Sequence, residues 1–130
     1  MASFEAFDAV LATPMPADHW NDVEVVRASE LVEGFDAADW ELVRKSWPLR
    51  PSAWQIRLAD AIFGTAATEA TELLRELLRV EADEVASAAA DSLFARDGWS
   101  ASPDDRRALQ RLRARLGPAR SGVIDRMLLR

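Results

Sequence analysis

The chain has 130 residues, 49% of them hydrophobic and 29% charged, a composition that supports one globular domain with a sizeable core and excludes a disordered chain. It contains no cysteine and one histidine, His19, which removes disulfides, thiolate metal sites, cysteine nucleophiles and His-rich metal clusters. The net charge of −6 is unevenly spread: residues 1–42 hold ten acids against Arg27, a net of −9, while residues 101–130 hold eight arginines against three aspartates, a net of +5. A chain so polarised carries a field with a direction, able to steer a charged partner. No apolar run reaches about 18 residues, and the opening MASFEAFDAV is acidic where a secretory leader is basic, so the expected setting is the cytoplasm, away from membranes.

Apolar residues recur at spacings of three and four and β-branched residues are sparse, so the expected fold is all-α. A first helix over 3–12 is stopped by Thr13-Pro14-Met15-Pro16. Asn21 with Glu24 has the spacing of a capping box and opens a helix that runs to Glu33 and Gly34. Asp36 is the next N-cap, for a helix that ends by Trp47-Pro48; Ser52, with Gln55 three residues on, opens another that ends at Gly64. Helices over 68–80 and 83–96 follow, the second closed by Gly98. Ser102-Pro103-Asp104-Asp105 combines a cap, a proline in the first turn and acids at the positive end of the helix dipole; that helix ends at Gly117-Pro118, and a short one covers 121–129.

Sliding the chain against itself by 31 residues aligns Val23, Trp54 and Val85; Ala28, Ala59 and Ala90; Leu31, Ile62 and Leu93; and Val32, Phe63 and Phe94, with Ser29, Asp60 and Asp91 at the polar position between them. The alanine lets a helix approach its neighbour closely while the bulky pair fills the layer beneath. Two helices per unit, stacked three times, describe a short α-solenoid. The stretches WQIRLADAIFG and ATELLRELL, followed by EVASAAADSLF, resemble the HEAT-like repeat family over roughly residues 21–116, although the unit is shorter than the usual repeat. The resemblance implies a single domain forming a right-handed solenoid of about seven or eight helices. Its repeats fall near 21–47, 52–80 and 83–116, with capping helices at 3–12 and 121–129.

No chemistry of an enzyme is written in the chain. The five glycines sit at helix ends or turns and form no phosphate loop, and no metal-ligand spacing surrounds His19; Asp18, His19 and Asp22 are accounted for by a turn before a helix. The expectation is therefore no catalytic residue, no cofactor and no metal. Of the five tryptophans, Trp54 and the Trp40–Val43–Trp47 stripe are read as packing, whereas Trp20 and Trp99 fall in loops beside acids and are candidate interface anchors. Two acidic groups, Asp36, Asp39 and Glu41, and Glu69, Glu72 and Glu76, are candidate partner-binding residues. In the run Arg106, Arg107, Arg111, Arg113 and Arg115, the residues 107, 111 and 115 share one helical face of the type phosphate contact needs. The acidic net charge, and the lack of lysine and interleaved aromatics in the run, weigh against a nucleic-acid partner.

In architecture and charge, the chain is similar to the small HEAT-like immunity proteins that bacteria pair with antibacterial toxins. That likeness implies a non-enzymatic protein-binding module that neutralises a basic toxin domain by occluding its active site. The acids named above would stand where nucleic acid stands in the toxin, with Trp20 or Trp99 at the rim. The alternatives are a HEAT-like nucleic-acid-binding or repair protein using the C-terminal arginines, or a scaffold subunit. Either a monomer or a homodimer through Met127, Leu128 and Leu129 is compatible with the pattern.

Overall fold

Prolines and capping carboxylates decide where the helices begin. In a computed structural model, which describes residues 3–96 and 98–129, the regular elements are all helical. Helix α1 spans Ser3–Ala12. Helix α2 consists of three consecutive pieces: Ala17–His19, a π-helical turn at Trp20–Glu24, and Val25–Glu33. Then come α3 (Ala37–Ser46), α4 (Ser52–Ile62), α5 (Thr68–Leu78), α6 (Asp83–Ala95), α7 (Pro103–Leu116) and α8 (Gly122–Leu128). Short 3-10 turns occupy Trp47–Leu49 and Pro118–Arg120.

Two expected caps form and two do not. Asp36 and Asp39 exchange backbone N–H bonds at 2.9 and 3.1 Å, and Ser102 and Asp105 do the same at 3.1 and 3.0 Å, so α3 and α7 each open on a complete capping box. Asn21, in contrast, lies inside α2. Extended Pro16 ends the preceding linker and its carbonyl accepts the N–H of Trp20 at 3.2 Å, which starts the helix five residues earlier than the Asn21 spacing predicts. Ser52 likewise sits one residue inside α4, behind Pro51; Gln55 turns its amide to the carbonyls of Trp47 and Arg50 at 2.8 and 3.3 Å, satisfying the preceding 3-10 turn instead of the helix start. The chain reverses after α6 and α7 at Gly98 and Gly117, whose φ values of 77° and 78° are open to glycine at little cost.

Helices α2, α4, α6 and α8 pack each against the next; α5 lies along α6, and α7 meets α5, α6 and α8. Ala28, Ala59 and Ala90 are all buried, so the helix backbones approach closely at these positions. The seam is stitched by hydroxyls: Ser29 Oγ donates to the carbonyl of Ala61 at 3.1 Å and Ser92 Oγ to that of Ala59 at 2.8 Å. The aligned bulky positions are less uniform than their sequence spacing predicts. Ile62 and Leu93 are buried and Leu31 partly so; Val32 is buried, but Phe63 is 47% exposed, and Trp54 and Val85 are buried where Val23 stands half exposed. The exceptions fall at irregular points of the chain: Val23 lies in the π turn of α2, and the chain turns away just after Phe63.

Helix α1 packs against α2, α3 and α4. Phe7 meets Phe35 edge-on at 5.2 Å and Trp54 at 6.4 Å, and Phe35 meets Trp40 at 5.1 Å. Asp8 accepts from Trp54 Nε1 at 2.9 Å and from the Arg50 guanidinium at 2.7 Å, while Asp39 accepts the N–H of Phe4 at 3.1 Å. At the other end Ile124 and Met127 are buried. Of the three residues expected at a dimer surface, Met127 belongs to the core and Leu128 is partly buried, which leaves Leu129 as the exposed one.

Candidate protein-binding face

The acids singled out in the sequence are distributed over different tasks. Glu72 and Glu76 on α5 both face the guanidinium of Arg44 on α3, at 3.7 and 3.4 Å, and Glu41 lies 3.8 Å from Lys45 on its own helix. Glu69 is partly buried in the first turn of α5. Asp36 is exposed but holds its cap, and Asp39 is 5% exposed because it both closes that cap and binds Phe4. The stripe is thus largely neutralised by the chain's own cations, and Asp39 is withdrawn from the surface.

The two tryptophans expected at a rim are buried. Trp20 is 4% exposed, within a helix and not a loop; its indole N–H donates to Asp60 at 3.1 Å and the Arg57 guanidinium lies 5.2 Å from its ring centre. Trp99 does lie between helices but is 7% exposed, packed into the core with its indole nitrogen lacking a partner among the described residues. Neither offers a face to another molecule.

The C-terminal arginines also find partners at home. Arg107 pairs with Asp104, Arg113 with Asp125 at 2.6 Å and Arg115 with Asp83 at 2.6 Å, and Arg106 donates to the carbonyl of Leu128 at 2.7 Å. Deeper, Arg75 reaches the fully buried Asp105 at 3.1 Å. Of the residues 107, 111 and 115 on the face proposed for phosphate, two are thereby neutralised. His19 stands 3.5 Å from Glu24, brought together by the five-residue rise of the π turn. They border a groove of about 590 Å³ between α1 and α2 with Glu5 and Arg27 on its walls. Among the described residues no three His, Asp or Glu side chains group to hold a metal ion, and no helix is long and apolar enough to cross a membrane.

What the sequence marked only as a polar position in the helix alignment places two acids on one groove. Asp60 on α4 and Asp91 on α6 face a groove of about 310 Å³ across α2, α4 and α6, with Asn21, Val25 and Phe63 along it. Neither carboxylate is in an ion pair among the described residues. Burial pushes the Asp60 carboxyl above its ordinary value, the Trp20 hydrogen bond draws it back in part, and the negative charge of Asp91 pushes it up again. Burial raises Asp91 as well. Nearby cations point elsewhere: Arg57 donates to the carbonyls of Leu11 and Thr13 at 3.0 and 2.7 Å, and Arg96, itself lowered by burial, to those of Ile62 and Phe63 at 3.3 and 2.9 Å. Compared with models of protein families, with curated proteins and with solved structures, the chain matches none.

Proposed function

We propose that this chain is a non-enzymatic protein-binding module, acting as an immunity-type inhibitor that covers a basic toxin domain in the cytoplasm, and that it engages its partner through the α2–α4–α6 face. The observation that carries this reading is the isolation of Asp60 and Asp91. Several acids elsewhere are matched by cations of the same chain, yet here a partly buried carboxylate, Asp60, and its exposed neighbour Asp91 share a groove without one among the described residues. An arrangement that raises the cost of its own ionisation is tolerated where a partner's charge completes it.

Helices stacked on hydroxyl-stitched seams present a firm surface, so inhibition would work by occlusion, with little change of shape. The net charge of −6 would speed encounter with a basic protein and make association salt-sensitive. The internal pairing of Arg107, Arg113 and Arg115 favours a protein partner over a nucleic acid.

The test is a low-salt pull-down from the native cell with the wild-type chain and with the double variant Asp60→Lys, Asp91→Lys. The expected result is a stoichiometric basic protein, toxic when expressed alone and neutralised by the wild type, that the variant neither retains nor neutralises. Equal retention by a folded variant would move the interface off this face.

A further inference from the structure

We propose that the groove over Asp60 and Asp91 recognises one arginine side chain of the partner, inserted between the two carboxylates, with the apolar residue beside that arginine resting on Phe63. This rests on the protein-binding reading and names the chemistry of the contact.

Charge complementarity is the first argument. Two carboxylates that repel each other face one cavity, and the closest basic side chains are committed to main-chain carbonyls: Arg57 to the α1–α2 linker, Arg96 to the end of α4. Among the described residues nothing in the chain supplies the missing cation. The space is the second argument. At about 310 Å³ the groove is at the low end of ligand cavities, which run from roughly 300 to 1,000 Å³, and suits one long side chain better than a folded element. A guanidinium is the cation that fits, because its planar fork of donors can engage two carboxylates at once and it gives up its hydration more readily than an ammonium.

The third argument is the wall. Phe63 is 47% exposed at the groove edge, lining it with Val25, just past the end of α4, whose large apolar residues are covered. An aromatic ring next to a carboxylate pair matches a segment in which an aliphatic residue neighbours the arginine. Asp60 is also held in place: Trp20 fixes one carboxylate oxygen and leaves the other for a guest. Ser92, although it lines the groove, already donates to Ala59 and contributes no free donor that would favour an anionic guest.

The Trp20 indole N–H, bonded to Asp60, is a built-in reporter. In ¹⁵N-labelled full-length chain, the tripeptide acetyl-Leu-Arg-Leu-amide should shift the indole resonance saturably. The same peptide with citrulline, neutral and nearly isosteric, should not. Asp91→Asn, at an exposed position, should weaken the arginine response without changing the rest of the spectrum, and Phe63→Ser should weaken it in the same way. Equal response to arginine and citrulline, or an indole that never moves, overturns arginine recognition. If the indole is unmoved while the lysine double variant still loses the captured protein, the protein-binding reading stands and the recognition chemistry falls. A saturable, arginine-specific shift with undiminished capture by that variant supports the groove's chemistry and removes the groove from the toxin interface.

Discussion

The indole of Trp20 and the carboxylate of Asp60, forty residues apart in the chain, are joined by a 3.1 Å hydrogen bond. That bond ties the π turn of α2 to the middle of α4, and it explains why a large aromatic next to a proline-rich linker ends up inside. It also makes Asp60 a structural acceptor and a surface charge together.

Replacing Trp20 by Phe keeps most of the ring and removes the donor. The expected loss is about 1 kcal/mol of stability from the hydrogen bond, read by urea denaturation. The pKa of Asp60 should rise further, because the bond to its ionised form is gone. Carboxyl titration followed by NMR checks the direction.

Asp60 and Asp91 should make the fold more tolerant of mild acid than its acid content implies. Both folded-state values lie above the unfolded 3.8, so their ionised forms oppose folding at neutral pH, and that opposition fades as pH falls through the folded values toward 3.8. Asp60→Asn retains an acceptor for Trp20 and abolishes the charge. The variant should equal or exceed the wild type in stability at neutral pH, and its advantage should shrink as pH approaches 3.8. A variant less stable than wild type at neutral pH and unchanged by acid would contradict this.

Reversing Glu69, Glu72 and Glu76 to lysine should affect partner capture less than reversing Asp60 and Asp91, because two of the three already face Arg44. The cost falls on the fold: roughly 0–1 kcal/mol for each exposed pair lost, with added repulsion around Arg44. Thermal denaturation beside the pull-down separates the two effects.

Asp39→Ala should cost about 2 kcal/mol, since it removes one half of the α3 capping box and the acceptor of the Phe4 N–H. Asp36→Ala removes the other half of the same box and leaves the tie to α1 intact, so it should cost about 1 kcal/mol. Chemical denaturation of the two variants tests whether the tie to α1 accounts for the difference.

Local signals in the sequence were enough for much of the helical pattern. The capping boxes at Asp36 and Ser102 involve residues three apart, and the helix over 3–12 is bounded by a proline-rich stop that needs no tertiary information. Asn21 and Ser52 failed as caps because an upstream proline decides where the first turn forms. The site was harder to see. Arg44 lies about one repeat spacing from Glu72 and Glu76, and the Arg115–Asp83 pair spans a similar stretch, so which charges cancel is decided only when α3 meets α5 and α7 meets α6. Trp99 looked accessible because it lies between helices, but the core closes over it. The useful signal was the recurring polar position holding Ser29, Asp60 and Asp91, which marks the α2–α4–α6 surface; that two of these residues lack a cation could be learned only from their neighbours.

The two serine hydroxyls stitch onto Ala61 and Ala59, the residues on either side of Asp60. One arrives from α2 and the other from α6, so the backbone that carries the central carboxylate is clamped from both flanks. The groove therefore has little conformational freedom to lose when something binds, and the entropy of ordering falls almost wholly on the incoming segment. Partners that present a basic residue on an already rigid loop should be bound far more tightly than floppy ones of identical composition. Loosening the clamp, by Ser29→Ala with Ser92→Ala, should erode that discrimination before it erodes affinity itself.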